Sequence, residues 1–214
     1  MTAIDPYRRY WNEQGATRTF TTPFDLDLFT RYVSPDSSVL DYGCGYGRTV
    51  QALAEAGYND VIGVDISHAL VQRGLAEHPS LDLRHLPEDT IPIPDQTFDG
   101  VLMLGILTCI PSTSDQAQCL REVLRVMKPG AYLYLNDFLL NNDRRNLDRY
   151  AEGQRKYRVY GMFDIKDGGT FRHHNLEHIT SLLGDMDLLH VEETVFETMQ
   201  GHISNGCRVL ARKK

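Results

Sequence analysis

The 214-residue sequence is 42% hydrophobic and 24% charged, ordinary for a soluble globular protein, and no apolar run approaches the roughly 20 residues a bilayer-spanning helix needs. A net charge of −7 argues against extended contact with nucleic acid, whose phosphates call for a basic surface. Cys44, Cys109, Cys119 and Cys207 lie far apart, with no C-x-x-C pair and no histidine at zinc-ligand spacing, so reduced, packed thiols are expected rather than disulfides or a zinc site.

The start of the chain, MTAIDPYRRYW, lacks the apolar core of a signal peptide, which makes cytoplasmic residence the expectation. Residues 5–33 predict two helical segments, one opened by Asp5-Pro6 and one by Thr22-Pro23, placed to cover a sheet that follows. Val39, Leu40, Asp41 and Tyr42 read as a short buried strand. Gly43, Gly45 and Gly47 turn it into a helix beginning near Arg48 and ending at Gly57. Glycines there permit positive φ and let a ligand reach main-chain N–H groups without meeting a Cβ. A dinucleotide fingerprint would have glycine or alanine at 48, where Arg48 stands, and would not call for an acid two residues before the first glycine, where Asp41 stands. A carboxylate beside such a turn can accept from an ammonium group. The next apolar strand, NDVIGVD, ends in Asp65, where an acid would accept from ribose hydroxyls, with Ile66 after it. The ligand reads as a nucleoside joined to an amino acid.

Ser67 caps a helix running to about His78, and Leu81–Leu86 make a third strand followed by Pro87-Glu88-Asp89. Phe98–Leu104 is a nearly continuous apolar strand, as expected for one buried on both faces, and Leu104 and Gly105 stand at its carboxyl end, the ligand-binding edge of an open α/β sheet. Cys109, just beyond, reads as buried filler rather than a nucleophile. Residues 114–127 form an amphipathic helix stopped by Lys128-Pro129-Gly130, and Ala131–Phe138 is the fifth strand. Residues 139–169 are polar and locally basic (Arg144, Arg145, Arg149, Arg155, Lys156, Arg158), read either as a solvated helix with paired charges or as a lid meeting an anionic substrate. His173 and His174 precede a helix capped by Asn175 and ended by Gly184; two alternating segments, 187–198 and 202–212, then read as strands. No linker, repeat or low-complexity stretch divides the chain, so one domain over 1–214 is expected.

From about Ser38 to Asp137 the motifs VLDYGCGYG, GVDIS, IPIPDQTFDGVLML and CLREVLRVMKPGAYLYL stand in register, and the chain resembles a class I S-adenosylmethionine-dependent methyltransferase of the small, single-domain kind. The resemblance implies an α/β fold: a Rossmann-like, doubly wound sheet of about seven strands, the last inserted antiparallel, with helices on both faces. Residues 1–33 would be a helical cover, 38–138 the cofactor core, 139–175 a substrate-cover insertion, and 176–214 the closing helix and strands. The implied cofactor is S-adenosyl-L-methionine and the product S-adenosyl-L-homocysteine. Its implied binding residues are Tyr10, Asp41, Gly43, Gly45, Gly47, Asp65, Ile66, Leu86, Leu104 and Gly105, with Glu88 or Asp89 at the adenine edge. Trp11 and Arg18 are the other N-terminal residues able to meet the methionine end, Trp11 being read as packing. Pro87 departs from the usual pattern at the adenine edge, since proline has no N–H to donate. The Asn/Asp-Pro-Pro-Tyr run of some amino methyltransferases is absent after strand four. No catalytic metal is expected, because Leu104-Gly105 offers no ligand, although Asp137 is an acid at the end of strand five.

The leading function is methyl transfer to a nucleophilic O, N, S or C atom of a small molecule, by a monomer or homodimer without a membrane or nucleic-acid partner. His173 or His174 is the candidate proton acceptor, with Tyr157, Tyr160 and His202 in reserve. The alternatives are methylation of tRNA or protein, a non-catalytic S-adenosylmethionine-binding protein, and a dinucleotide oxidoreductase.

Overall fold

The computed structural model describes residues 6–87 and 90–214. In chain order the elements are α1 (Pro6–Glu13), α2 (Leu26–Thr30), β1 (Ser38–Tyr42), α3 (Arg48–Glu55), β2 (Asp60–Asp65), α4 (His68–Glu77), β3 (Asp82–His85), β4 (Phe98–Leu104), α5 (Thr113–Val126), β5 (Met127–Phe138), α6 (Arg144–Tyr157), β6 (Met162–Asp164), β7 (Thr170–Arg172), α7 (Leu176–Leu182), β8 (Met186–Glu197) and β9 (Ile203–Lys213). Single 3-10 turns lie at Gly15–Thr17 and Leu107–Cys109.

Seven strands form one sheet in the order β3-β2-β1-β4-β5-β9-β8. β1 to β5 pair in parallel, and β9 runs antiparallel between β5 and β8, the inserted last strand that the resemblance implied. Alternation along the central strands sorts side chains onto two faces, as a pleated strand requires. Leu40, Val101, Met103, Leu133, Leu135 and Val209 join one cluster with Cys119, Leu120, Val123 and Val126 of α5 and Ile179 of α7. Their neighbours Val39, Leu102, Tyr134 and Leu210 join the other, with Leu28 and Phe29 of α2 and Val50 and Leu53 of α3. Both faces are covered, which is why β4 reads as an apolar run instead of an alternating one.

Three local expectations are corrected. α2 opens at Leu26, not at Thr22-Pro23, because the Asp25 carboxylate accepts from Leu28 N at 2.9 Å and caps it. β5 begins at Met127 and runs through Lys128-Pro129-Gly130, pairing with β4 from Phe98 onward across a register shift. A separate two-stranded hairpin, β6–β7, was not anticipated. It packs under α6 so closely that a Cβ at Gly153 would sit 1.7 Å from Met162 O. No described helix is long and apolar enough to cross a membrane, and all four cysteines are free and buried.

Candidate active site

The carboxyl ends of β1, β2, β4 and β5 open into a cavity of about 770 Å³, within the usual range for small-molecule sites. At its floor the glycine turn is tied to β2. Gly43 N and Cys44 N donate to Val64 O at 2.8 and 3.0 Å, and Gly45 N donates to the Asp65 carboxylate at 2.8 Å. Ser67 N, beyond the strand, donates to the other Asp65 oxygen at 2.7 Å. Gly43 and Gly45 take φ of +77° and +57°, a region an L side chain rarely adopts. A Cβ on Gly45 would lie 2.1 Å from the Phe20 ring, which caps the turn from the N-terminal segment.

Asp41 lines the cavity and is 2% exposed, yet its Oδ2 has no hydrogen-bond partner. Burial lifts its carboxyl to about 7, with Arg48 pulling downward and Asp65 pushing up. Asp65 is lifted to about 6 by burial, against the Ser67 and Gly45 N–H donors that favour its charged form. Arg48 also lines the cavity; it donates to Thr22 O, and its Nε is buried without a partner. An unpaired buried acid beside an incompletely satisfied guanidinium fits a zwitterionic amino-acid head, so the residues present suit the cofactor the sequence implies.

Of the expected cofactor contacts, Tyr10, Asp41, Gly43, Asp65, Ile66, Leu86, Leu104 and Gly105 line the cavity. Gly45 and Gly47 do not. Gly45 acts through its N–H on Asp65, and Gly47 is the left-handed N-cap of α3, its open side turned to Leu83 of β3. Glu88 and Asp89 lie outside the described residues. Tyr10 Oη is buried without a partner. Trp11 packs edge-on against Tyr10, with centroids 5.2 Å apart, and against Phe20; Arg18 pairs with Asp167 in the β6–β7 loop. Phe20 and Thr22, which also line the cavity, escaped sequence reasoning. The available signal was an aromatic residue stranded in the polar loop RTFTT.

The two histidines separate. His174 faces away from the cavity: its Nε2 lies 3.2 Å from Gln116 Nε2, its ring stacks on His178, and burial lowers it to about 3. It is withdrawn as a proton acceptor. His173 lines the cavity, its ring parallel to that of Phe138 at the end of β5. Its Nδ1 is 2.6 Å from Tyr150 Oη and 3.3 Å from Asn141 Nδ2, and burial, with Arg149, His174 and Arg145 nearby, holds it well below the ordinary histidine value. Tyr157, Tyr160 and His202 lie off the cavity; Tyr157 is bound to Asp164, and the other two are exposed.

Asp137 accepts from Leu107 N at 2.7 Å, Thr108 N at 3.0 Å and Phe138 N at 2.7 Å, so its carboxylate holds the 3-10 turn after β4. Cys109 gives its Sγ–H to Gly105 O, and burial keeps the thiol protonated, as filler requires. Among the described residues no group of three or more His, Cys, Asp or Glu gathers as a metal site.

Residues 40–135 match a family model described as a methyltransferase domain. The 27-O-demethylrifamycin SV methyltransferase of Amycolatopsis mediterranei is 32% identical over 155 residues, 69% of this chain and 56% of that protein. The eEF1A lysine and N-terminal methyltransferase of Mus musculus is 26% identical over 132 residues, 58% of this chain and 19% of that protein. The chain spans between about a fifth and three fifths of the length of the curated relatives it matches. Among solved structures, a SAM-dependent methyltransferase from Methanosarcina mazei superimposes with a TM-score of 0.83 at 26% identity, covering 89% of this chain and 99% of that one.

Proposed function

We infer that this chain, which belongs to the class I S-adenosylmethionine-dependent methyltransferases, transfers a methyl group to a nucleophilic O, N, S or C atom of a small molecule. The observation that carries the reading is the buried, partnerless Asp41 oxygen between the glycine turn and Arg48, one strand from Asp65. Asp41 would accept from the ammonium of the cofactor, Arg48 would meet its carboxylate, and Asp65 would accept from the ribose hydroxyls with the lone pairs its backbone donors leave free. The sulfonium of S-adenosylmethionine supplies an already activated methyl group. The protein's own task is therefore alignment and exclusion of water. Tyr10, Trp11 and Phe20 close the cavity from the N-terminal side, and the segment 139–175 closes it from the other as the substrate cover.

A small acceptor is favoured because these covers wall the cavity from both sides. On α6 Arg144 pairs with Asp148, Arg145 with Asp143 and Lys156 with Asp164, as on a solvated helix rather than a nucleic-acid face. The Amycolatopsis relative is a methyltransferase of 27-O-demethylrifamycin SV. The second reading, methylation of a protein, draws on the mouse relative. Four free, buried thiols agree with a reducing, cytoplasmic setting.

Calorimetry with S-adenosylhomocysteine and with NAD tests the first step: only the former should bind. A methyl-transfer assay across a metabolite panel, read as S-adenosylhomocysteine formed, tests the second. Turnover with protein or tRNA and none with small molecules would refute a small acceptor.

A further inference from the structure

We propose that Arg149, Arg172 and His173 form an oxyanion subsite, so that the methyl acceptor carries a carboxylate or phosphate group; this rests on the methyl-transfer reading above. About half of the arginines of this chain are in ion pairs, among them Arg18, Arg73, Arg84, Arg125, Arg208 and Arg212. Of the four arginines that line the cavity, Arg145 is paired with Asp143 and Arg48 is the one assigned above to the cofactor, which leaves Arg149 and Arg172. Neither Arg149 nor Arg172 has a carboxylate within ion-pair distance among the described residues, and the Nε of each is buried without a partner. Arg149 is held flat over the Phe163 ring, its Cζ 3.5 Å from the centroid, leaving the edge of the guanidinium to a ligand. Arg172 is braced by Pro111 O at 3.3 Å and Thr113 Oγ1 at 2.8 Å. The described acids of the cavity, Asp41, Asp65 and Asp115, come from β1, β2 and α5; none comes from the α6–β7 wall.

His173 completes the wall as a donor. Asn141 Oδ1 accepts from Asn205 N at 2.8 Å, which fixes its amide, and the two Nδ2 hydrogens go to Leu139 O at 2.9 Å and Ser204 Oγ at 3.0 Å, nearer than His173 Nδ1 at 3.3 Å. Tyr150 Oη accepts from Asn141 N at 3.3 Å and lies 2.6 Å from His173 Nδ1, where the subsite has it give its own hydrogen. With Tyr150 as the donor to Nδ1, the proton of the neutral ring resides on Nε2. No described residue accepts that Nε2–H. The wall offers two guanidinium edges and one imidazole N–H, donors without an acceptor among them, and such a set selects an oxyanion. His173 is thereby recast from proton acceptor to donor.

The test uses the full chain saturated with S-adenosylhomocysteine. Ligand-observed NMR would compare benzoate and phenyl phosphate with the neutral benzamide and benzyl alcohol, and the wild type with Arg149→Gln and Arg172→Gln. One or both anions should bind in preference to the neutral probes, the stronger anion naming the group. Each variant should weaken that anion about tenfold or more while keeping S-adenosylhomocysteine affinity within about twofold. Should a variant fail to fold, nitrogen-15 NMR of the His173 ring in the wild type decides: a proton on Nε2 is expected, and a proton on Nδ1 overturns the subsite. Equal binding of anions and neutral probes, or no preferred anion, also overturns it. Failure of the wild type to bind S-adenosylhomocysteine would instead strike the methyl-transfer reading.

Discussion

Asp65 commits one lone pair of each carboxylate oxygen to backbone, to Gly45 N–H and Ser67 N–H, which leaves others free for the ribose hydroxyls of the proposed cofactor site. In that site, replacing it by alanine would remove two charge-assisted contacts to the ligand. Asp65→Ala should cost about 2–3 kcal/mol of S-adenosylhomocysteine affinity by calorimetry, and unchanged affinity in a folded variant would reject the role. Asp137, the acid that left a metal conceivable, is occupied by backbone N–H groups. Turnover is accordingly expected to survive chelation, and loss in EDTA restored by Mg²⁺ or Zn²⁺ would contradict it. At this scale the sequence was most informative where chemistry is local: Asp41, the glycines and Asp65 are set by one strand-turn-helix and the strand beside it. It was least informative for His173 against His174, since both lie beyond the last residue of β7, where no period fixes direction and only the tertiary packing says which one meets the cavity. Arg149 was hidden within a basic run whose other members, such as Arg144, are solvated.

Elements set by strong periodicity were legible to within a few residues: β2, α4, β4 and α5 lie where alternation and caps place them. The hairpin β6–β7 was not, because strands of three residues show no period, and it is stabilised by its neighbours. Gly153 is where that dependence is sharpest, since α6 approaches the β6 backbone with no room for a side chain. Gly153→Ala gains helix propensity on paper, yet it must push α6 from Met162 O. Overpacking of this kind costs about 1–3 kcal/mol. The variant should unfold at lower temperature and show faster hydrogen exchange in α6, with S-adenosylhomocysteine affinity retained because the glycine turn is untouched. Equal stability and exchange would mean the cover is loosely seated.

Across the whole molecule, buried ionisable groups are sorted by wall, which a net charge of −7 does not reveal. Asp41 and Asp65 are raised to about 7 and about 6; His173 and His174 are lowered, the latter to about 3. In the free protein the two sets oppose each other. A raised carboxyl stabilises the fold fully below its unfolded value of about 4, and that contribution is lost as pH rises through its folded value. A lowered histidine stabilises the fold above about pH 6.5, and that contribution is lost as pH falls. A ligand that places an ammonium on Asp41 and hydroxyls on Asp65 needs both carboxyls ionised, so its binding releases protons. Asp137 is also raised to about 7 by burial, and the Asp41→Asn variant separates its share from that of Asp41. S-adenosylhomocysteine affinity is therefore expected to be level above about pH 7, to fall about tenfold per unit from there to about 6, and to fall more steeply below, where Asp65 also takes a proton. Asp41→Asn should bind more weakly at pH 8 and show no fall between about 8 and 6. Calorimetry over this range, in buffers of differing ionisation enthalpy, reads both the affinity and the protons released. A wild-type affinity that stays constant from pH 8 to 6 would mean that Asp41 does not meet the ammonium.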